Sequence, residues 1–433
     1  MSLPSATSTA PSAGSQTAAG PDGPRPSRRG AVVMSAFAVV GVLFFVVLAE
    51  GGTTTFVVAS AQDVVQLPDL VLPSRWAALV LLLGCAGLAA FSVASTAAGR
   101  LTPRWVVPVY GVLLVLAFLV WVVTGSRISL VSLLGGTLLL GAPLVFGAMA
   151  GVVSERSGVV NIAIEGQLLL GAFLGAVAAS LAGTAYVGLL AAPVGGMFIG
   201  FLLAVFTVRY LVNQIIVGVV LNVFAIGLTS FLFSTVLADN PGWNSPTGLP
   251  QIQVPLLYSI PVVGPVLFGQ NLLVYLMYVV VAALTVMLFR SRWGLRVRAV
   301  GEHPKAADTV GIPVQRTRFR SVVLGGAIAG LGGASFTLGA SAAGLAFNRE
   351  MTAGNGYIAL AAMIFGRWHP LGALGAALLF GFASNLQNIL SVIGTPIPSQ
   401  FLLMAPYLAT IFAVAGLAGR VRGPAAAGTP YEK

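Results

Sequence analysis

Continuous apolar runs of about 20 residues, separated by short polar segments, fill most of the chain after residue 30. A helix that crosses a ~30 Å hydrocarbon core needs a run of this length, whereas barrel strands show short alternating patterns. The pattern predicts an all-α polytopic membrane protein. The candidate spans are roughly 31–49, 76–97, 105–124, 129–152, 159–182, 185–207, 214–237, 271–289, 319–344, 356–368, 371–392 and 400–418. The tenth is too short to cross alone, so we expect about 11–12 transmembrane helices and a broken or re-entrant helix there.

The positions of Lys and Arg predict how these spans are oriented. With the N-terminus inside, most arginines and the cluster at 290–320 fall on the cytoplasmic side, and only Arg75, Arg127 and Arg349 fall outside. The opposite orientation would invert this bias, against the positive-inside rule. Both termini are therefore predicted to be cytoplasmic.

Composition agrees with lipid as the solvent. The chain is 57% hydrophobic and only 8% charged, with a mean hydropathy of +0.97. Its net charge of +11 would suit nucleic acid, but the basic residues lie in loops between apolar spans, so we expect membrane lipid and no nucleic-acid partner. Residues 1–30 are rich in Ser, Ala, Pro and Gly, which is typical of a disordered tail.

The sequence offers little chemistry of its own. Neither Lys305 nor Lys433 follows a glycine, so the chain contains no P-loop for ATP. His303, His369 and Cys85 are isolated, which supports neither a metal site nor a nucleophile. An enzyme is therefore a weak interpretation, and we expect no cofactor in this chain.

Glu165 is the exceptional charge within the spans. Asn161 precedes it by four residues, which places both on one face of a helix, and Gln167 follows. A carboxylate at membrane depth is a candidate functional group. Two interpretations stay open: Glu165 lies beside a translocation path, or it is capped by backbone groups at a broken helix near the membrane interface.

Further amides in the spans are candidates for a substrate path. Gln214, Asn222 and Asn385 can hydrogen-bond a neutral polar solute, although each can equally bond a neighbouring helix. The same holds for Asn213, Gln387 and Asn388. Intramembrane carboxylates are few, which argues against a proton- or sodium-coupled secondary transporter without removing that alternative.

The one substantial hydrophilic segment inside the apolar region is 290–320. A short helix there would begin near Pro304, end near Gly311 and present an apolar stripe that includes Ala306 and Ala307. It is either a solvated connector or a helix that docks on a soluble partner. If it docks, Trp at either alanine should clash with the partner, and Gly301 is expected to adopt a positive φ ahead of the helix.

Four separated motifs carry a family resemblance. They are APLVFGAMAGVVSERSGVVNIAIEG at 142–166, WGLRVRAVGEHPKAADTVGI, GYIALAAMIFGRWHPLGALGAALLFG at 356–381, and APYLATIFAVAGLAGR followed by GTPYEK. Over about 128–433 the chain resembles the permeases of nucleoside ABC importers, within the branched-chain amino acid and ribose permease group. It resembles the shorter of the two permease types, with an N-terminal extension.

This resemblance implies an ABC importer permease fold and uptake of a nucleoside, purine or broad. It implies a second related permease, ATP-binding cassette subunits that carry ATP and Mg²⁺, and an extracytoplasmic substrate-binding lipoprotein. The expected location is the bacterial cytoplasmic (inner) membrane. The residues that match the family's ATPase-coupling loop are Gly294, Arg298, Gly301, Glu302, Ala306, Ala307 and Gly311.

The expected organisation has four parts. They are a cytoplasmic tail at 1–30, extra N-terminal helices at 31–127, a permease core at 128–420 that contains the coupling loop 290–318, and a cytoplasmic tail at 421–433. A simple sugar is the alternative cargo of the same importer, and a secondary transporter is the more distant alternative.

Overall fold

The computed structural model describes residues 28–49, 51–59, 66–103, 105–339, 344–393, 404 and 423–432. Within those residues, nine helices are long and apolar enough to cross a membrane, and two further apolar helices are shorter. The prediction of an all-α polytopic membrane protein is confirmed. The predicted span at 400–418 lies outside the described residues, apart from Met404.

The helices follow the predicted spans closely. In chain order they are α1 (Arg28–Val42), α2 (Ser74–Ala97), α3 (Val106–Val122), α4 (Leu130–Arg156), α5 (Ile164–Ala182), α6 (Ala185–Ala204), α7 (Gln214–Leu232), α8 (Val263–Phe268), α9 (Leu272–Arg290), α10 (Arg292–Glu302), α11 (Pro304–Thr309), α12 (Val314–Thr337), α13 (Asn355–Phe365) and α14 (Pro370–Ile393). Five-residue π-helical turns extend α1, α6 and α7 at Leu43–Val47, Val205–Arg209 and Phe233–Leu237, and a 3₁₀ turn covers Pro241–Asn244.

In the part of the chain that the structure describes, five short β-strands lie within the loops between the helices and pair with one another. They are β1 (Thr53–Val57), β2 (Leu70–Pro73), β3 (Arg127–Ser129), β4 (Gln251–Gln253) and β5 (Gly269–Asn271). β1 pairs antiparallel with β2 and parallel with β3, and β4 pairs antiparallel with β5. All five strands lie in loops that the charge pattern places outside, so the pairings agree with the predicted alternation of the spans.

The chain divides into two compact units. Among the described residues, one consists of 28–49 together with 75–103 and 105–119. Its small apolar core includes Met34, Cys85 and Tyr110, and the Tyr110 hydroxyl donates to the Met34 carbonyl at 2.7 Å. The other unit holds 51–59, 66–74 and the described residues from 120 onward. The outer segment at 50–74 therefore groups with the permease core, to which β1 is joined through β3.

Glycines let the helices of the larger unit pack with their backbones in contact. A Cβ at Gly196 of α6 would lie 2.1 Å from the Gly326 carbonyl oxygen of α12, and one at Gly171 of α5 would lie 2.6 Å from that of Gly330. Small residues at such crossings are typical of membrane helix interfaces. This packing holds α12 against both α5 and α6.

Candidate functional site at two helix breaks

The first break separates α4 from α5. Residues 157–163 are not helical, and Gly158 has a φ of +92°. Asn161 lies in this break and Glu165 on the first turn of α5. The prediction that the two share a helical face is wrong, because a spacing of four aligns side chains only within a continuous helix.

Glu165 lies within the membrane-spanning region, not at its edge. The preceding residue, Ile164, packs beside α4, where a Cβ at Gly147 or Gly151 would lie 3.1 or 3.3 Å from its side chain. These glycines come nine and five residues before the last residue of α4, Arg156. At 1.5 Å per residue, they lie about 8–14 Å from that end of the helix. Glu165, the residue after Ile164, is therefore about two helical turns from the end of α4.

The second break precedes α13. This helix has 11 residues, so it extends about 16 Å, roughly half of a hydrocarbon core. The residues before it, 344–354, form no helix or strand. The predicted tenth span is thus a half-helix whose N-terminal N–H groups lie inside the protein, where they need acceptors.

Glu165 supplies these acceptors. Its Oε1 accepts hydrogen bonds from the Thr352 hydroxyl at 2.6 Å and the Gly354 N–H at 2.8 Å, and its Oε2 accepts from the Gly356 N–H at 2.6 Å. A carboxylate at a helix N-terminus is also favoured by the helix dipole. A Cβ at Gly356 would lie 2.4 Å from the Glu165 nitrogen, so only glycine permits this approach. The carboxylate therefore joins the two breaks.

Amide side chains form the hydrogen bonds that stabilise the first break. Asn161 and Gln167 exchange hydrogen bonds, with Nδ2 to Oε1 at 3.1 Å and Nε2 to Oδ1 at 3.3 Å. From α7, Gln214 Oε1 accepts from the Val160 N–H at 2.7 Å. These three side chains are fully buried or nearly so. They satisfy backbone and side-chain groups that a regular helix would have paired itself.

Asn222 of α7 connects the first break to α13. Its Oδ1 accepts from the Gly166 N–H at 2.8 Å, and its Nδ2 donates to the Ile162 carbonyl at 2.9 Å and to the Tyr357 hydroxyl at 3.1 Å. Tyr357 is 48% exposed. Five of the six substrate-path candidates, all except Asn385, thus meet around the two breaks.

Asn385 lies elsewhere. It is buried on α14 and donates to the Ser132 and Leu133 carbonyls of α4 at 3.3 and 2.8 Å. On the same helix, partly or fully exposed polar side chains form one face at helical spacing: Ser384, Gln387, Asn388 and Ser391. Sequence reasoning missed the two serines and also Thr352 and Tyr357. The spacing of the α14 residues was the signal that could have found the serines.

The coupling loop contains two helices, α10 and α11. Gly301 lies inside α10 without a positive φ, so that prediction is wrong. Glycine is required there for another reason: a Cβ would lie 2.1 Å from the Arg156 carbonyl oxygen. Gly294 likewise lies against the Met287 carbonyl, and the Arg298 guanidinium lies 5.1 Å from the centre of the Phe289 ring.

The two alanines of α11 differ in exposure. Ala307 is 3% exposed and packs with Val300, Val314 and Tyr431, whereas Ala306 is exposed. The prediction that Trp at either alanine would clash with a partner is wrong for Ala307, because that side chain points into the loop's own core. The helix begins with Pro304 in its first turn, and Gly311 follows it with a φ of +81°, as predicted.

A third cluster joins the end of α4 to the segment after α13. Trp368 Nε1 donates to Glu155 Oε2 at 2.6 Å, and Arg156 Nε donates to the Trp368 carbonyl at 2.9 Å. Arg367 and Trp368 have φ values of 55° and 52°, which non-glycine residues rarely adopt. Backbone strain of this kind persists only where surrounding contacts impose it.

These features define a polytopic membrane protein built around broken helices, and the sequence comparisons identify it as a permease. The chain belongs to the family described as the permease component of branched-chain amino acid transport systems, which matches residues 133–415. It is 39% identical over 312 residues to the guanosine ABC transporter permease protein NupQ of Bacillus subtilis, covering 69% of this chain and 95% of that protein. It is 40% identical over 305 residues to the nucleoside ABC transporter permease protein NupC of Lactococcus lactis, covering 68% and 95%.

More distant relatives widen the comparison. A putative glucose ABC transporter permease protein of Haloferax volcanii is 35% identical over 261 residues, covering 59% of this chain and 76% of that protein. A second permease protein from each of the two bacteria is also similar, at 29% and 25% identity. No solved structure matches the chain.

Proposed function

We propose that the chain is a transmembrane permease subunit of an ATP-driven nucleoside importer in the bacterial cytoplasmic membrane. The observation that carries the proposal is 39–40% identity to guanosine and nucleoside permeases across 95% of their length. Glucose is the second candidate cargo, because the chain is 35% identical to the putative glucose permease of Haloferax volcanii.

The two helix breaks are the proposed location of the substrate path. Irregular backbone at membrane depth is tolerated where it is buried in protein or lines a water-filled cavity. Four polar side chains fix the backbone of the two breaks by hydrogen bonds: Glu165, Asn161, Gln167 and Gln214. Their role is therefore to hold in place the residues that line the path. Tyr357 is the member of this network that is most exposed, and its hydroxyl suits a neutral polar solute.

The polar face of α14 is the second proposed part of the path. The side chains of Ser384, Gln387, Asn388 and Ser391 are partly or fully exposed on this face. Polar side chains within spans face a bundle interior or a water-filled cavity, because lipid offers them no hydrogen bonds. We place this face against the path that the chain forms with a second permease. Asn385, three residues before Asn388 and so its neighbour on the helix surface, braces α14 on α4.

The proposed complex needs partners because the chain has no P-loop. ATP-binding cassette subunits would dock at the α10–α11 loop, and these subunits would bind the ATP and Mg²⁺. This chain alone would not act as an enzyme. A second permease is supported by the presence of two similar permease proteins in each bacterial relative's organism. An extracytoplasmic substrate-binding lipoprotein would deliver the nucleoside.

Uptake by intact cells tests the cargo. Cells that express the complete complex should accumulate radiolabelled guanosine, and cells with this chain deleted should not. Excess unlabelled adenosine or uridine should compete, whereas excess glucose or ribose should not. Competition by glucose but not by nucleosides would replace the nucleoside with a sugar.

A further inference from the structure

The chain's C-terminal segment packs against the coupling loop. Residues 423–432, which we name the C-terminal segment, contain no helix or strand and pack against α10 and α11. The Ala426 N–H donates to the Gly301 carbonyl at 2.9 Å, and the Ala425 N–H donates to Glu302 Oε2 at 3.2 Å. These bonds join the segment to the end of α10, immediately before α11 begins.

Tyr431 forms the apolar part of this contact. It is 7% exposed and packs with Val300, Val314 and Ala307, the one buried side chain of α11. Its hydroxyl donates to the Asp308 carboxylate on the same helix. Desolvation and this hydrogen bond both raise the pKa of Tyr431, so the phenol keeps the proton that it donates. A six-residue helix is unstable alone, so α11 depends on these contacts for its orientation.

Arg318 extends the contact to the membrane helices. It is 2% exposed at the start of α12, and its Nη1 donates to the Thr429 carbonyl at 2.8 Å. Its Nη2 lies against Gly158 in the first helix break, where a Cβ would be 2.8 Å away. One side chain therefore touches both the C-terminal segment and the break that leads to Asn161.

We propose that the C-terminal segment is a positioning element that holds α11 at a defined angle and joins its movement to the first helix break. The proposal rests on the proposed function, because it assumes that a partner ATPase pushes on α11. A loosely held α11 would absorb that push, whereas a helix tied to Arg318 and Gly158 transmits it. Without the segment, substrate should no longer stimulate ATP hydrolysis.

The test uses the complete complex with Tyr431→Ala, Tyr431→Phe and a chain that ends after Gly423. Tyr186, which is 51% exposed on α6, provides the matched control Tyr186→Ala. The measurements are inserted protein, co-purification with the ATP-binding subunits, ATP hydrolysis with and without guanosine, and guanosine uptake. We expect Tyr431→Ala and the shortened chain to insert and assemble normally but to lose about tenfold in uptake, together with guanosine stimulation.

Tyr431→Phe keeps the packing and loses only the bond to Asp308, so its uptake should fall less. Wild-type uptake and stimulation in Tyr431→Ala and in the shortened chain would overturn the proposal. So would a loss of insertion or assembly in all three variants, because the segment would then serve folding and not coupling. An inactive wild-type complex would instead count against the proposed function, which keeps the two failures distinguishable.

Discussion

Replacing Glu165 with glutamine removes one acceptor and one charge while it preserves the shape of the side chain. The carboxylate accepts three hydrogen bonds, two at Oε1 and one at Oε2. If the glutamine amide replaces Oε2, its NH₂ group faces the Gly356 N–H. If it is flipped, the NH₂ group faces the Gly354 N–H. Either orientation leaves one backbone donor of α13 without its acceptor.

The expected cost follows from this geometry. A buried donor left unpaired costs about 1–3 kcal/mol, and loss of a carboxylate at a helix N-terminus costs up to about 2 kcal/mol more. A total of about 3 kcal/mol would raise the population of undocked α13 by about 100-fold. The half-helix should then open locally while the other spans remain folded.

Hydrogen exchange of the purified protein in lipid nanodiscs measures this opening. The amides of Gly354 and Gly356 should exchange about 100-fold faster in Glu165→Gln, and guanosine uptake should fall with them. Glu350→Gln makes the same chemical change at an exposed carboxylate and should leave both unchanged. Wild-type exchange at Gly354 and Gly356 in Glu165→Gln would refute the capping role.

Three further outcomes are expected. Gly301→Ala should destabilise the protein by about 1–3 kcal/mol, because the added Cβ meets the Arg156 carbonyl, whereas Gly227→Ala, which has open space, should not lower the thermal unfolding midpoint. Ala307→Trp should disrupt the loop and lower the yield of folded protein. Ala306 is exposed, so Ala306→Trp should fold normally but fail to assemble with the ATP-binding subunits, and normal assembly would show that Ala306 is not part of the docking surface. The purified chain alone should hydrolyse no ATP, and turnover above that of a mock purification would contradict this.

Hydropathy was sufficient to predict the membrane helices, because lipid imposes long apolar runs on any chain that crosses it. It also identified the half-helix at 356–368, whose run is too short to cross. The polar residues within the spans were a useful signal as well, because five of them meet around the two helix breaks: Glu165, Asn161, Gln167, Gln214 and Asn222. What the local sequence could not show was their partners, which come from distant parts of the chain.

Two errors have the same physical origin. The spacing of Asn161 and Glu165 was interpreted within a continuous helix, but buried side chains from α7 stabilise a break between them. Gly301 was assigned a positive φ because glycine often has one, yet it lies in α10 against the Arg156 carbonyl. In both cases tertiary contacts determined a local feature. The C-terminal segment was missed for the same reason, since its partners lie more than 100 residues earlier.

ATP-driven transport by purified components tests the account most directly. The complex that contains this chain would be reconstituted in proteoliposomes together with its substrate-binding protein, with ATP supplied on the side of the ATP-binding subunits. We expect radiolabelled guanosine to accumulate only when ATP and Mg²⁺ are present, and Glu165→Gln to transport far less than Glu350→Gln. Accumulation of glucose but not guanosine, or guanosine transport that needs no ATP, would contradict it.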